Sequence, residues 1–233
     1  MRRVLVLRPE PGASATAEAL RAAGYEPILF PIAEVVPLAL HQIDYSRLKA
    51  VAATSANGVR HAPVDLIASL ADLSFFAVGE ATASAARTAG FRRVGVADGD
   101  GQALARLMLE QVRAGDRLLY LCGHVRRPEF ERLCAEAGVD VVAAETYDMR
   151  YPDRSEAFRA LIGESPPDLV MVHSFEAARA FVRLLEASRA LPGLKAVAIS
   201  ERAARPVSNL GIRTVAADRP DEAAMLEALA RLS

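Results

Sequence analysis

Cysteine is nearly missing from this chain: Cys122 and Cys134 are the only two in 233 residues. That count supports no disulfide framework, and without a Cys-x-x-Cys pair or a Cys/His cluster it supports no structural zinc site either. Net charge is also nearly absent, at −1. No global basic field therefore points to nucleic acid, although a local basic patch for a small anion stays open. Long hydrophobic runs are lacking, and no apolar stretch approaches the ~20 residues of a membrane span. The apolar run after Met1-Arg2-Arg3 stops at Arg8-Pro9, too short for a signal-peptide core. A cytoplasmic protein with no membrane or nucleic-acid partner is the expectation. Gly-x-Gly-x-x-Gly and the phosphate-binding P-loop are missing too, and Gly99-Asp100-Gly101 reads as a turn.

What is present is a 52% hydrophobic composition rich in Ala, Val and Leu, suited to buried parallel strands covered by helices. Strand-length apolar runs fall at 4–7, 50–53, 75–78, 94–96, 118–121, 139–143, 169–172, 196–199 and 214–216. Most lack period-two alternation, as strands buried on both faces do. Helical stretches lie between them, at 15–23, 82–89, 103–112, 129–137, 177–187 and 223–232. Gly24, Gly90, Gly138 and Gly211 fit the position that closes a helix. The alternation predicts α/β architecture with doubly wound parallel sheets.

An internal repeat refines this. Residues 49–55 match 168–174, and Phe76-Ala77-Val78-Gly79-Glu80 matches Val197-Ala198-Ile199-Ser200-Glu201. The first copy continues into 117–122, a helix and 137–139; the matching unit of the second copy lies at 3–8 and 23–25. The repeat is circularly permuted. It predicts two similar domains, one discontinuous (1–34 plus 152–233) and one inserted (39–144). Segments 35–38 and 145–151, rich in strand formers, are expected to pair as a two-stranded linker. Two crossings would restrict relative motion to a hinge or twist.

Ligands of open parallel sheets bind beyond the carboxyl ends of the strands. The residues there are Arg8; Thr54, Ser55 and Asn57; Gly79 and Thr82; Gly123; Ser174; and Ser200. Free N–H groups at helix starts favour anions, while Ser, Thr and Asn are also the ordinary N-caps. Arg126 and Arg127 oppose the helix dipole, a misfit compatible with anion binding. His124 is placed in a rim loop, His41 and His61 on the surface. His173 and Ser174 are adjacent on a strand and face opposite ways, which argues against a hydrolase pair. Cys122 and Cys134 read as small buried hydrophobes. Tyr147, in the returning linker, is a candidate proton donor.

The stretches Val6-Leu7-Arg8-Pro9, Thr54-Ser55-Ala56-Asn57-Gly58-Val59 and Ala77-Val78-Gly79-Glu80-Ala81-Thr82-Ala83 resemble uroporphyrinogen-III synthase. So do 119–123, Ala137-Gly138-Val139 leading to Tyr147, 174–181 and Ala198-Ile199-Ser200-Glu201. The resemblance covers essentially the whole chain. It implies two α/β domains joined by a two-stranded linker, with the substrate held in the cleft between them. It also implies a lyase reaction of haem biosynthesis. Hydroxymethylbilane loses its hydroxyl as water, ring D is inverted, and the macrocycle closes to uroporphyrinogen III without metal or organic cofactor. By the same analogy Tyr147 assists departure of the hydroxyl and Thr82 lines the cleft. Arg8, Ser55, Asn57, Gly79, Gly123, Arg126, Ser174 and Ser200 hold the polycarboxylate substrate. The expected state is a monomer.

Two departures stand out. Ser200-Glu201-Arg202-Ala203 replaces a Gly-Pro-x-Thr type turn, and Pro63 should break the helix after Gly58. The rival reading is a non-enzymatic two-domain protein that senses a small anion and needs no proton donor. A flavin- or nucleotide-dependent reductase would need a cofactor loop that the sequence lacks.

Overall fold

The computed structural model describes residues 1–40, 44–188 and 191–232; His41 lies outside them. The chain divides into two compact units, Met1–Glu34 with Arg150–Ser233 (unit 1) and Val35–Met149 (unit 2). No helix among the described residues is long and apolar enough to cross a membrane.

In unit 2, strands β4 (Leu48–Ala53), β5 (Ser74–Val78), β6 (Arg93–Ala97), β7 (Arg117–Gly123) and β8 (Asp140–Arg150) join β3 (Glu34–Pro37) in one sheet of order β3-β8-β7-β4-β5-β6. The β8-β7, β7-β4, β4-β5 and β5-β6 pairs are parallel. The Leu38 N–H donates to the Thr146 carbonyl at 2.9 Å beside the β3 edge. In unit 1, β1 (Arg3–Val6), β2 (Glu26–Leu29), β9 (Leu169–Val172), β10 (Lys195–Ala198) and β11 (Arg213–Ala216) form a parallel sheet of order β11-β10-β9-β1-β2. Written in matching order, β2-β1-β9-β10-β11 repeats β8-β7-β4-β5-β6. The permuted repeat read from the sequence is therefore present as topology, with β3 as the extra edge of unit 2.

Strand alternation sorts side chains onto two covered faces. In unit 1, Leu5, Leu7, Val170, Val172, Ala196 and Ala198 pack with α7 (Ser155–Glu164), α8 (Phe175–Glu186) and α9 (Glu201–Ser208). Phe158 anchors that face, its ring 5.5 Å from Phe30 and 5.9 Å from Phe181. Val4, Val6, Met171 and Val197 face α1 (Gly12–Ala22) and α10 (Glu222–Leu232). Unit 2 does the same. Val51, Ala53, Leu119 and Leu121 meet α2 (Ala56–Arg60), α3 (Val64–Leu70) and α4 (Gly79–Ala89). Ala50, Ala52, Leu118, Tyr120 and Cys122 meet α5 (Gly101–Leu109) and α6 (Glu129–Glu136). Each fully buried Leu or Phe contributes about 1.5–3 kcal/mol, so the central strands are held from both sides.

The helix that follows β4 stops at Arg60 and resumes after Pro63 as α3, the break expected from a missing N–H and a ring clash. The four helix-closing glycines all take positive φ, from 73° at Gly138 to 115° at Gly90.

Candidate functional site

In unit 2 the chain winds outward in opposite directions from β4 and β7. The crevice beyond their carboxyl ends is therefore the switch point at which open sheets take ligands. A cavity of about 280 Å³ lies there, lined among others by Thr54, Gly101, Tyr120, Gly123, Arg127 and Tyr147. Its floor is polar. The Thr54 and Tyr120 hydroxyls hydrogen-bond at 2.7 Å, and the Tyr120 ring packs 4.7 Å from Phe130. Burial pushes the Tyr120 phenol up to about 12, against the opposing Thr54 bond, so it stays protonated.

Tyr147 reaches this cavity from β8 because its backbone pairs with Gly123, just after a register irregularity between Cys122 and Gly123. The His124 N–H donates to the Tyr147 carbonyl at 2.8 Å and fixes that pairing. The phenol ring lies directly on Gly123, where an added Cβ would stand 2.8 Å from Cζ and 3.0 Å from the hydroxyl oxygen. Tyr147 is half-buried. Desolvation raises its pKa above the ordinary 10, with a hydrogen bond to Ser55 acting the other way. A protonated phenol is thereby presented to the cavity at neutral pH. Below it Thr146, fully buried, donates to the Gly58 carbonyl at 2.8 Å.

Arg126 lines the cavity but is not an open anion receptor. Its Nε and Nη2 donate to Glu131 at 3.0 and 3.1 Å, and its Nη1 donates to Glu145 at 2.7 Å. Glu131 lies in the first turn of α6, so the dipole misfit expected of a cation at that helix start is offset by a carboxylate. Two carboxylates neutralise the guanidinium and tie the loop after β7 to β8. The next residue, Arg127, is exposed and has no carboxylate partner among the described residues.

Of the other expected residues, Ser55 caps α2 by accepting from the Asn57 N–H at 3.2 Å. The Asn57 carbonyl oxygen of the side chain accepts from Arg60 at 3.5 Å. Gly79 opens α4 with φ 70° and clear space around it. Thr82 departs from expectation: it is only 4% exposed, on the face of α4 that packs inward. Ser174 and Ser200, in unit 1, cap α8 and α9 by accepting from Ala177 and Ala203 at 3.0 and 3.3 Å. Arg8 is engaged elsewhere, donating to Glu222 at 3.0 Å.

His124 is exposed and pairs through Nδ1 with Glu145 at 2.8 Å, which raises its pKa. His61, expected on the surface, is half-buried, with its ring 6.1 Å from that of Tyr147; burial lowers its pKa. Cys122 and Cys134 are buried, with thiols pushed up by desolvation to about 12 and 11. The Asp100–Gln102 wall and Tyr120 were not singled out in the sequence. Asp100 caps α5 by accepting from Gln102 and Ala103 at 2.9 and 3.2 Å. An Asp just before an Ala/Leu-rich helix was the available signal.

The family described as uroporphyrinogen-III synthase HemD matches residues 14–227. No curated protein matches the sequence. Solved structures that share its fold include two synthases. One is a uroporphyrinogen-III synthetase from Helicobacter pylori, at 20% identity and TM-score 0.66, with 100% of each chain covered. The other is a mutant uroporphyrinogen III synthase from the extremely thermophilic bacterium Thermus thermophilus, at 19% identity and TM-score 0.58, covering 100% of this chain and 98% of that one. With the matched region spanning all but the first 13 and last 6 of its residues, this chain belongs to the uroporphyrinogen-III synthase family.

Proposed function

We propose that this chain carries out its family's reaction, closing hydroxymethylbilane to uroporphyrinogen III in the cytoplasm, with Tyr147 as the proton donor. The observation that carries the assignment of Tyr147 is its phenol: desolvated, kept protonated, and set in the wall of a cavity at a sheet switch point. The C–O bond of the hydroxymethyl group breaks as the phenol proton moves to its oxygen, and the hydroxyl leaves as water. General acid assistance of this kind contributes about 10²–10⁴-fold.

Substrate carboxylates are assigned to Arg127 rather than Arg126, because only Arg127 lacks a carboxylate partner among the described residues. Ser55, Ser174 and Ser200 are assigned to carboxylates as well. Each Oγ accepts a backbone N–H as a cap; the hydroxyl protons of Ser174 and Ser200 are left to donate, while that of Ser55 is shared with the Tyr147 phenol. Asn57 and Gly79 lie in first helical turns, where amides favour anions. A charge-assisted hydrogen bond is worth about 1.5–3 kcal/mol. Several of them would hold the chain folded with its reacting carbons close. A cavity of about 280 Å³ lies just below the ~300–1,000 Å³ range of ligand sites and suits one ring with its acid arms.

Single-turnover and steady-state kinetics test the assignment. Tyr147→Phe should lower kcat with KM nearly unchanged, while Arg127→Gln should raise KM. Wild-type kcat in Tyr147→Phe removes the phenol from the mechanism.

A further inference from the structure

The two matching sheets allow their rims to be compared residue by residue. Val4 pairs with Leu169 as Leu118 pairs with Ala50. Counting on from these pairs, Arg8 of unit 1 occupies the place of Cys122 in unit 2, and His173 that of Thr54. Asp221 caps α10 through the Ala224 N–H as Asp100 caps α5 through the Ala103 N–H, so Glu222 stands where Gly101 does. Gly24 and Gly138 both follow their helices with positive φ. Both helices also close with the same backbone bonds, Tyr25 N–H to Leu20 and Val139 N–H to Cys134, each at 2.9 Å. Thr16 therefore matches Phe130. Thr54, Gly101 and Phe130 line the unit 2 cavity. Their counterparts His173, Glu222 and Thr16 gather in unit 1 around Arg8.

The Glu222 carboxylate fills the place left open in unit 2. Its Oε2 accepts from Arg8 Nη1 at 3.0 Å, and Arg8 also donates to Thr16 at 3.4 Å. The His173 side chain is 9% exposed, and its Nε2 lies 3.3 Å from the same oxygen. His173 and Thr16 both hydrogen-bond to the Glu222 carboxylate, so it is held by a cation, a hydroxyl and a buried imidazole together. The carboxylate sits at the start of a helix, beside a cation and a buried imidazole. That is the setting of a bound anion.

We infer that the β9–β1 switch point of unit 1 is a carboxylate-binding site, built like the cavity of unit 2 and occupied by the chain's own Glu222, so that Arg8 is withheld from the substrate. Glu222 is the intramolecular ligand, and Arg8, His173 and the first turn of α10 are the receptor. A free monocarboxylate of formate size is the external ligand such a site takes once the glutamate is removed. The permuted repeat thus yields one open rim and one closed rim from the same scaffold.

The site itself is tested without reference to catalysis. Thermal unfolding of wild type, Glu222→Ala and Arg8→Met/Glu222→Ala is followed in formate and, at equal ionic strength, in chloride. Glu222→Ala should melt lower than wild type, and formate should raise its midpoint progressively with concentration, as a ligand bound only by the folded state does. Wild type and the double variant should show no difference between formate and chloride. A formate effect equal in all three proteins, or absent from Glu222→Ala, overturns the inference.

Should Glu222→Ala not fold, Arg8→Met/Glu222→Gln removes both charges together, so that neither is left unpaired. The second measurement is KM for hydroxymethylbilane in this variant, and it rests on the proposed function. A KM equal to that of wild type supports the closed rim, and a raised KM means that Arg8 does reach substrate. Loss of turnover in wild type itself would instead count against the proposed function and leave the formate result standing.

Discussion

Gly123 is the residue whose replacement probes the site most sharply. Its φ does not lie in the left-handed region, so alanine costs no backbone strain there; the whole effect is contact. The new methyl would stand 2.8 Å from Tyr147 Cζ and 3.2 Å from Cε1. Carbon atoms settle at about 3.5–4.0 Å, so the ring must retreat by at least roughly 0.7 Å, the difference between 3.5 and 2.8. A displacement near 1 Å of a group that must meet its substrate can cost about 10²-fold. Gly123→Ala should therefore lose about 10–100-fold in kcat, and overpacking should cost about 1–3 kcal/mol of stability. Gly163→Ala is the matched control: it lies within α7 with no atom within 4 Å of the added methyl, and its turnover should equal that of wild type. The assay is steady-state conversion of freshly made hydroxymethylbilane, with stability read by denaturant unfolding. A Gly123→Ala protein that folds and turns over at the wild-type rate refutes the placement of Tyr147 against the reacting group.

Thr146→Val, nearly isosteric, leaves the Gly58 carbonyl without its 2.8 Å donor. Urea titration should show a loss of about 1–3 kcal/mol, since Gly58 packs too tightly against the Leu121 carbonyl for water to enter (an added Cβ would sit 2.5 Å from that oxygen). At alkaline pH the protein should weaken before it loses its phenols. The Cys134 and Cys122 thiols, ordinarily near 9.0, are held up to about 11 and 12 in the folded state. Their protons are thus lost first by the unfolded chain. The thiols' contribution to stability is constant below pH 9 and is lost as pH rises through the folded values; Cys134→Ala should reduce that slope, and an unchanged slope would contradict the assignment.

Much of the architecture was legible because burial on both sheet faces writes itself as short, continuous apolar runs, and because closing glycines such as Gly90 and Gly138 mark where helices stop. The repeat of 49–55 at 168–174 carried the sheet order with it. What the sequence withheld were pairings between distant residues. Arg126 looks like a free cation until Glu145, nineteen residues away, is brought beside it by β7–β8 pairing. Arg8 and Glu222 are separated by 214 positions, and nothing local marks either as the other's partner. Tyr120 hid in a run that reads as pure core, since its ring is buried and only its hydroxyl meets Thr54. Thr82 was read from its place beyond a strand end as well as from the family resemblance, and packing on α4 buries it.

The most direct measurement is the isomer ratio. Purified protein is given freshly generated hydroxymethylbilane, and the oxidised products are separated into type I and type III uroporphyrins. The account predicts type III well above the spontaneous type I background, and a ratio shifted back toward type I in Tyr147→Phe. Type I alone from folded wild-type protein would contradict it.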